Sequence, residues 1–149
     1  MVNVFIYPAT SLILSDFVER WGHTPLSSAT GIRERIQTAG LESPPIQMTP
    51  EEPKKGLRWA AVEVPSGVRG RMAIYGPMIE SADAAIIVND ADLAFGCMGC
   101  ARTNELIMFL LRRRKIPVLD LVYPKNEEEG EKFVAAIKNF LEGLNGGAA

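Results

Sequence analysis

Residues 89–104 read N-D-A-D-L-A-F-G-C-M-G-C-A-R-T-N, and both cysteines of the chain, Cys97 and Cys100, fall within them. A C-x-x-C spacing suits a dithiol that cycles to a disulfide, and it suits half of a metal or iron–sulfur site. Gly96 and Gly99 stand beside the two cysteines. They remove side-chain bulk, so the backbone can turn tightly and a metal, cofactor or partner sulfur can approach. The motif lies just before an expected helix start, whose amides favour negative charge. Cys100 especially should therefore carry more thiolate at neutral pH. Zinc and iron–sulfur centres usually take four protein ligands. With two cysteines per chain, such a centre needs two loops meeting on the axis of a homodimer. The unreactive alternative is a pair of small, soft residues buried under a tight turn.

The same stretch holds Asp90, Asp92, Arg102, Thr103 and Asn104. Asp90 and Asp92 could tune charge near the thiols or, with Asn89, hold a hard cation. After a strand, such residues more often cap the loop and stay solvated. Arg102 could stabilise a thiolate or a bound anion. A second candidate is P-S-G-V-R-G-R, residues 65–71, where Ser66, Arg69 and Arg71 gather at an expected helix start. That arrangement could hold a phosphate or carboxylate, although it matches neither the P-loop nor the dinucleotide pattern. His23 is the only histidine. At a helix junction it reads as a capping or packing residue before it reads as a ligand or base.

The elements around these residues follow from apolar periodicity. Val2–Tyr7, Trp59–Val64, Ala84–Asn89 and Pro117–Val122 read as short buried strands, and a fifth is possible near Ile46–Met48. Ser11 is placed to cap a helix carrying Leu14, Phe17, Val18 and Trp21 on one face, with Gly22 as its stop. Thr24-Pro25 reads as the start of a second helix. Further helices are expected over Val68–Ala82, kinked or split by Pro77, over about Glu105–Leu111, and from about Glu127 to Leu144. Residues 41–56 contain Pro44, Pro45, Pro50 and Pro53 and read as a Pro-rich loop. Strands alternating with helices, and strands that are near-continuous apolar runs, predict an α/β fold. The expected form is a mainly parallel sheet of four or five strands with helices on both faces, a three-layer, doubly wound arrangement. In such sheets the loops at the carboxyl ends of strands form the ligand crevice, and the cysteine loop is one of these. The order of elements does not suit a thioredoxin, in which C-x-x-C comes early in the chain.

The chain has 149 residues, 16 Lys+Arg against 18 Asp+Glu, and 47% hydrophobic residues. That length suits one domain, residues 1–149. A net charge of −2 argues against a general nucleic-acid binder. No apolar run approaches the ~18 residues of a membrane span, and no basic region followed by an apolar stretch opens the chain. Two cysteines do not make a secreted disulfide scaffold. A cytoplasmic protein that binds neither nucleic acid nor membrane is expected.

V-F-I-Y-P at 4–8, R-W-G-H at 20–23 and above all G-C-M-G-C-A-R-T-N-E at 96–105 resemble the methanogenesis marker protein 5 family, over nearly the whole chain. The resemblance implies work connected with methyl-coenzyme M reductase, its nickel cofactor or its reductive activation, beside a protein partner of the methanogenesis machinery. Such processes use low-potential electrons and sulfur chemistry. A redox dithiol at Cys97 and Cys100, or an iron–sulfur cluster or zinc shared across a homodimer, would fit them. The family carries no assigned reaction, so whether the chain is an enzyme stays open. The alternative is a non-catalytic binding module in which residues 41–56 and the loop ends grip a partner and the cysteines only pack. A third reading is a small-molecule enzyme that uses Arg69, Arg71 and Arg102 to hold an anion in the strand-end crevice.

Overall fold

A computed structural model describes residues 1–37, 54–89 and 98–146, with backbone only at 32, 34–37 and 98–100. The chain forms two compact units. The first comprises Met1–Ser27, Ala82–Ala94 and Lys115–Ala149, and the second Ser28–Ser81 and Phe95–Arg114.

The first unit is built on a four-stranded, all-parallel sheet. Its strands are β1 (Asn3–Tyr7), β2 (Thr24–Leu26), β3 (Ala84–Asn89) and β4 (Val118–Val122), in the order β2-β1-β3-β4. This is the expected α/β class. Helix α1 (Leu12–Arg20) joins β1 to β2, and α5 (Glu127–Gly146) follows β4. Alternation along the strands sends Val4, Ile6, Ala84, Ile86 and Val88 to one face, where Leu14, Val18, Ile137 and Leu141 of the two helices cover them. Each large aliphatic side chain so buried contributes about 1.5–3 kcal/mol. Phe17 and Trp21 extend this core, their ring centroids 5.8 Å apart.

The Ser11 and Gly22 caps of α1 match the sequence signals. The Ser11 hydroxyl accepts from the Leu14 N–H at 3.2 Å. Gly22 ends α1 at φ 78, a conformation that favours glycine. At the start of α5, Asn126 Oδ1 accepts from the Glu129 N–H, and the Glu129 carboxylate accepts from the Lys125 N–H, both at 2.9 Å.

The second unit holds α2 (Ser28–Gln37), a 3-10 turn (Gly56–Arg58), α3 (Ser66–Ser81) and α4 (Met98–Arg113). Helix α3 packs against both the turn and α4.

Four expectations are corrected. Thr24–Leu26 does not open a helix: it pairs in parallel with β1, and Pro25, lacking an N–H, is tolerated because β2 is an edge strand. Residues 59–64 are not a strand. Trp59 closes the 3-10 turn, and its indole N–H donates to Glu80 Oε1 at 3.1 Å. Pro77 does not divide α3, which runs through it. Helix α4 begins at Met98 rather than near Glu105, so Cys100, Ala101, Arg102, Thr103 and Asn104 are helical. The Pro-rich loop falls largely outside the described residues, and the fifth strand expected near Ile46–Met48 falls wholly outside them.

Candidate functional site

In a parallel sheet of this order the connections leave β1 and β3 in opposite directions, toward β2 and β4. In α/β sheets the point where two such connections diverge is the usual place for a ligand crevice. On the β1 side stand Tyr7, Pro8 after a cis peptide bond, and the first turn of α1 with its Ser11 cap. On the β3 side stands Asn89. Its side-chain amide nitrogen donates to Asp120 Oδ1 and to the Leu121 carbonyl, each at 3.3 Å, and its carbonyl accepts from the Tyr123 N–H at 2.9 Å. Asn89 thus ties the end of β3 to β4, a use that competes with the cation-ligand role considered for it.

Beyond Asn89 the chain enters the cysteine segment. Asp90, Asp92 and Cys97 lie outside the described residues, as does the side chain of Cys100. What is described is the helix that the segment feeds. Because α4 opens at Met98, Cys97 is the residue immediately before it and Cys100 is the third residue of its first turn. The first four N–H groups of a helix lack intrahelical acceptors and carry partial positive charge. No acidic residue in the first turn of α4 offsets that charge.

Of the neighbours expected to act with the thiols, Arg102 is exposed, Asn104 is half-buried and Thr103 is buried. Thr103 therefore belongs to the packing of its helix. In the second candidate, α3 opens at Ser66 itself. The Pro65 carbonyl accepts from the N–H groups of Val68 at 2.9 Å and Arg69 at 3.3 Å. Ser66 is exposed, Arg69 and Arg71 are half-buried, and Arg69 Nε is buried without a partner among the described residues. Arg69 and Arg71 lie on α3 and Arg102 on α4.

His23 is buried at 4% exposure, with Nε2 2.9 Å from the Leu141 carbonyl and Nδ1 3.4 Å from the Val2 N. Those partners assign the proton to Nε2, which donates, and leave Nδ1 to accept. Both nitrogens are occupied inside the first unit, a packing role. Among the described residues no three His, Cys, Asp or Glu side chains are grouped to hold a metal, and no helix is long and apolar enough to cross a membrane. Sequence reasoning missed the Asn89–Asp120 tie. An Asn at a strand end gives no hint of its partner on the next strand, 31 residues along the chain.

Two comparisons place the chain. It matches over residues 2–144 a family described as an uncharacterized protein conserved in archaea, DUF2112. It is 58% identical over 144 residues to Uncharacterized protein MJ0404 of Methanocaldococcus jannaschii, covering 97% of this chain and 96% of that protein. No solved structure matches. The chain therefore belongs to the archaeal family DUF2112.

Proposed function

We infer that this DUF2112 protein is a cytoplasmic accessory factor of methanogenesis whose Cys97–Cys100 pair serves a protein partner in maturation or activation of methyl-coenzyme M reductase. The observation that carries this reading is the start of α4 at Met98. It puts one cysteine before the helix and the other in its first turn, where unpaired N–H groups favour thiolate. The methanogen relative and the resemblance of residues 96–105 supply the setting.

As a dithiol the pair works in two balanced steps. The thiolate of Cys100 attacks one sulfur of a partner disulfide, forming a mixed disulfide and releasing the partner's other sulfur as thiolate. The thiolate of Cys97 then attacks the Cys100 sulfur. This frees the second partner thiol and leaves Cys97 and Cys100 as a disulfide. Two electrons pass to the partner, and each released thiolate takes a proton from solvent. In the alternative use of the same thiolates, two chains contribute four sulfurs to a zinc or iron–sulfur centre, which would supply electron transfer or a structural bridge. Two cysteines per chain fit a centre of that kind only when shared between chains.

Anaerobic purification followed by zinc, iron and acid-labile sulfide analysis tests the second use. Thiol titration across a redox buffer tests the first. Reversible loss of two thiols per chain, or zinc at about half an equivalent per chain, or iron and sulfide at about one to two equivalents each per chain, supports the proposal. Failure of the sulfurs to pair under oxidising conditions, together with negligible metal after reconstitution, overturns it and leaves a non-catalytic binding module with packing cysteines.

A further inference from the structure

Charge is unevenly divided along the chain. The residues of the second unit hold eleven Lys+Arg against seven Asp+Glu, a net +4, and those of the first hold five against eleven, a net −6. The imbalance reaches the surface on two helices. On α4 the exposed face carries Arg102, Glu105, Phe109 and Arg113. Phe109 is 55% exposed, and the Arg113 guanidinium lies 5.6 Å from its ring centroid. On α5 the exposed flank carries Glu131, Val134, Lys138 and Glu142, with Val134 42% exposed. Among the described residues no ion pair engages Arg102, Glu105 or Glu131. Lys138 and Glu142 meet at 3.8 Å on the surface, where the Glu142 carboxylate also accepts from the Trp21 indole N–H at 3.4 Å.

We propose that the exposed stripe of α4 docks antiparallel on the exposed stripe of α5 in a second copy of this chain, with Phe109 against Val134. Centred there, the two sequences complement each other at every step. Three and four residues C-terminal to Phe109 come Arg112 and Arg113, and three residues N-terminal to Val134 comes Glu131. Four residues back from Phe109 is Glu105, and four forward from Val134 is Lys138, each about 6 Å along its axis. Seven residues back is Arg102 and eight forward is Glu142, at about 10–12 Å. Opposite charges meet at each position, while a parallel arrangement would set Arg113 against Lys138. Phe and Arg are also the residue types that anchor interfaces. The contact joins two different surfaces, so it is heterologous and grows rings or open chains rather than a simple twofold pair.

The test is the mass of the whole protein in solution, by sedimentation and light scattering over a concentration series with reductant present. At low ionic strength the mass should rise above the 16.3 kDa of one chain and return to it at high ionic strength. Arg113→Glu should weaken association about tenfold, equivalent to about 1.4 kcal/mol, and adding Glu131→Arg should restore it. A protein that stays at the mass of one chain at low ionic strength overturns the proposal. So does assembly indifferent to Arg113→Glu, or a charge swap that fails to restore it. The same series on the Cys97→Ser/Cys100→Ser variant, which cannot hold a centre shared through its thiols, should show the same salt-dependent rise and fall in mass. Read on that variant, the outcome is independent of whether the thiols do their proposed work.

Discussion

A single side chain can decide whether a polar group is affordable inside the protein, and His23 is the clearest case. Its imidazole fills a buried site and serves two backbone groups far apart in sequence, the Leu141 carbonyl and the Val2 N–H. Replacing it by alanine opens a cavity and strips the Val2 N–H of its acceptor. The expected loss is about 1–3 kcal/mol, read as a lower urea midpoint with unchanged slope. A fall under about 0.5 kcal/mol would mean that water replaces the ring without cost. Ser11 makes the milder comparison. Its hydroxyl caps one N–H of α1, so Ser11→Ala should cost about 1 kcal/mol. The two roles differ in how far the sequence reveals them. Ser11 precedes a periodic apolar stripe and is readable locally, whereas the partners of His23 are 21 and 118 residues away.

Helix α3 shows how packing carries an element whose own sequence is unfavourable to helix. Pro77 deletes an N–H from its interior, and glycines weaken it further. The compensation comes from neighbours. Gly76 lies under the Trp59 indole so closely that a Cβ there would sit 2.2 Å from the ring. The Arg114 guanidinium donates to the Ile79 carbonyl and, at 2.7 Å, to the Glu80 carbonyl at the end of the helix. The Glu80 carboxylate in turn accepts from Arg58 Nε and the Trp59 indole, both at 3.1 Å. Gly76→Ala should therefore destabilise the protein by about 1–3 kcal/mol, although alanine is the better helix former. A stabilised Gly76→Ala protein in thermal melts would refute the close approach. This element also marks the limit of reading the chain. Strands β1, β3 and β4 and helices α1 and α5 were legible because each carries enough periodic apolar residues to declare itself. Strand β2 has three residues, too few for a period, and exists through its pairing with β1. The apolar run after Trp59 imitates a strand, yet Trp59 is held by Glu80. Arg114 follows the last residue of α4 yet caps α3, a partner that nothing local in the sequence names. The cysteine pair was legible as a motif, but its surroundings depend on residues outside those described.

In the protein as a whole, burial should separate what holds the fold from what meets other molecules. Strands β1 and β3 are each flanked on both sides, and Val4, Ile6 and Ile86 are fully buried. Their amides should open only with global unfolding and exchange last in deuterated buffer, because the slowest protons belong to the most cooperative structure. Faster exchange there than in α3 would show that the second unit carries the greater stability. Ile86 and Phe109 sharpen the distinction. Ile86→Ala empties a site at 0% exposure beneath α1 and α5, and should cost about 2–5 kcal/mol. Phe109→Ala removes more atoms, but from a ring that is 55% exposed, so its effect on the stability of one chain should stay within about 0.5 kcal/mol. Because Phe109 centres the α4 stripe, the same substitution should lower the mass seen at low ionic strength while the unfolding midpoint of the dilute protein stays put. The two measurements therefore answer separate questions. A large loss of stability in Phe109→Ala would assign the ring to the core of its own chain, and an unchanged mass would remove it from the interface.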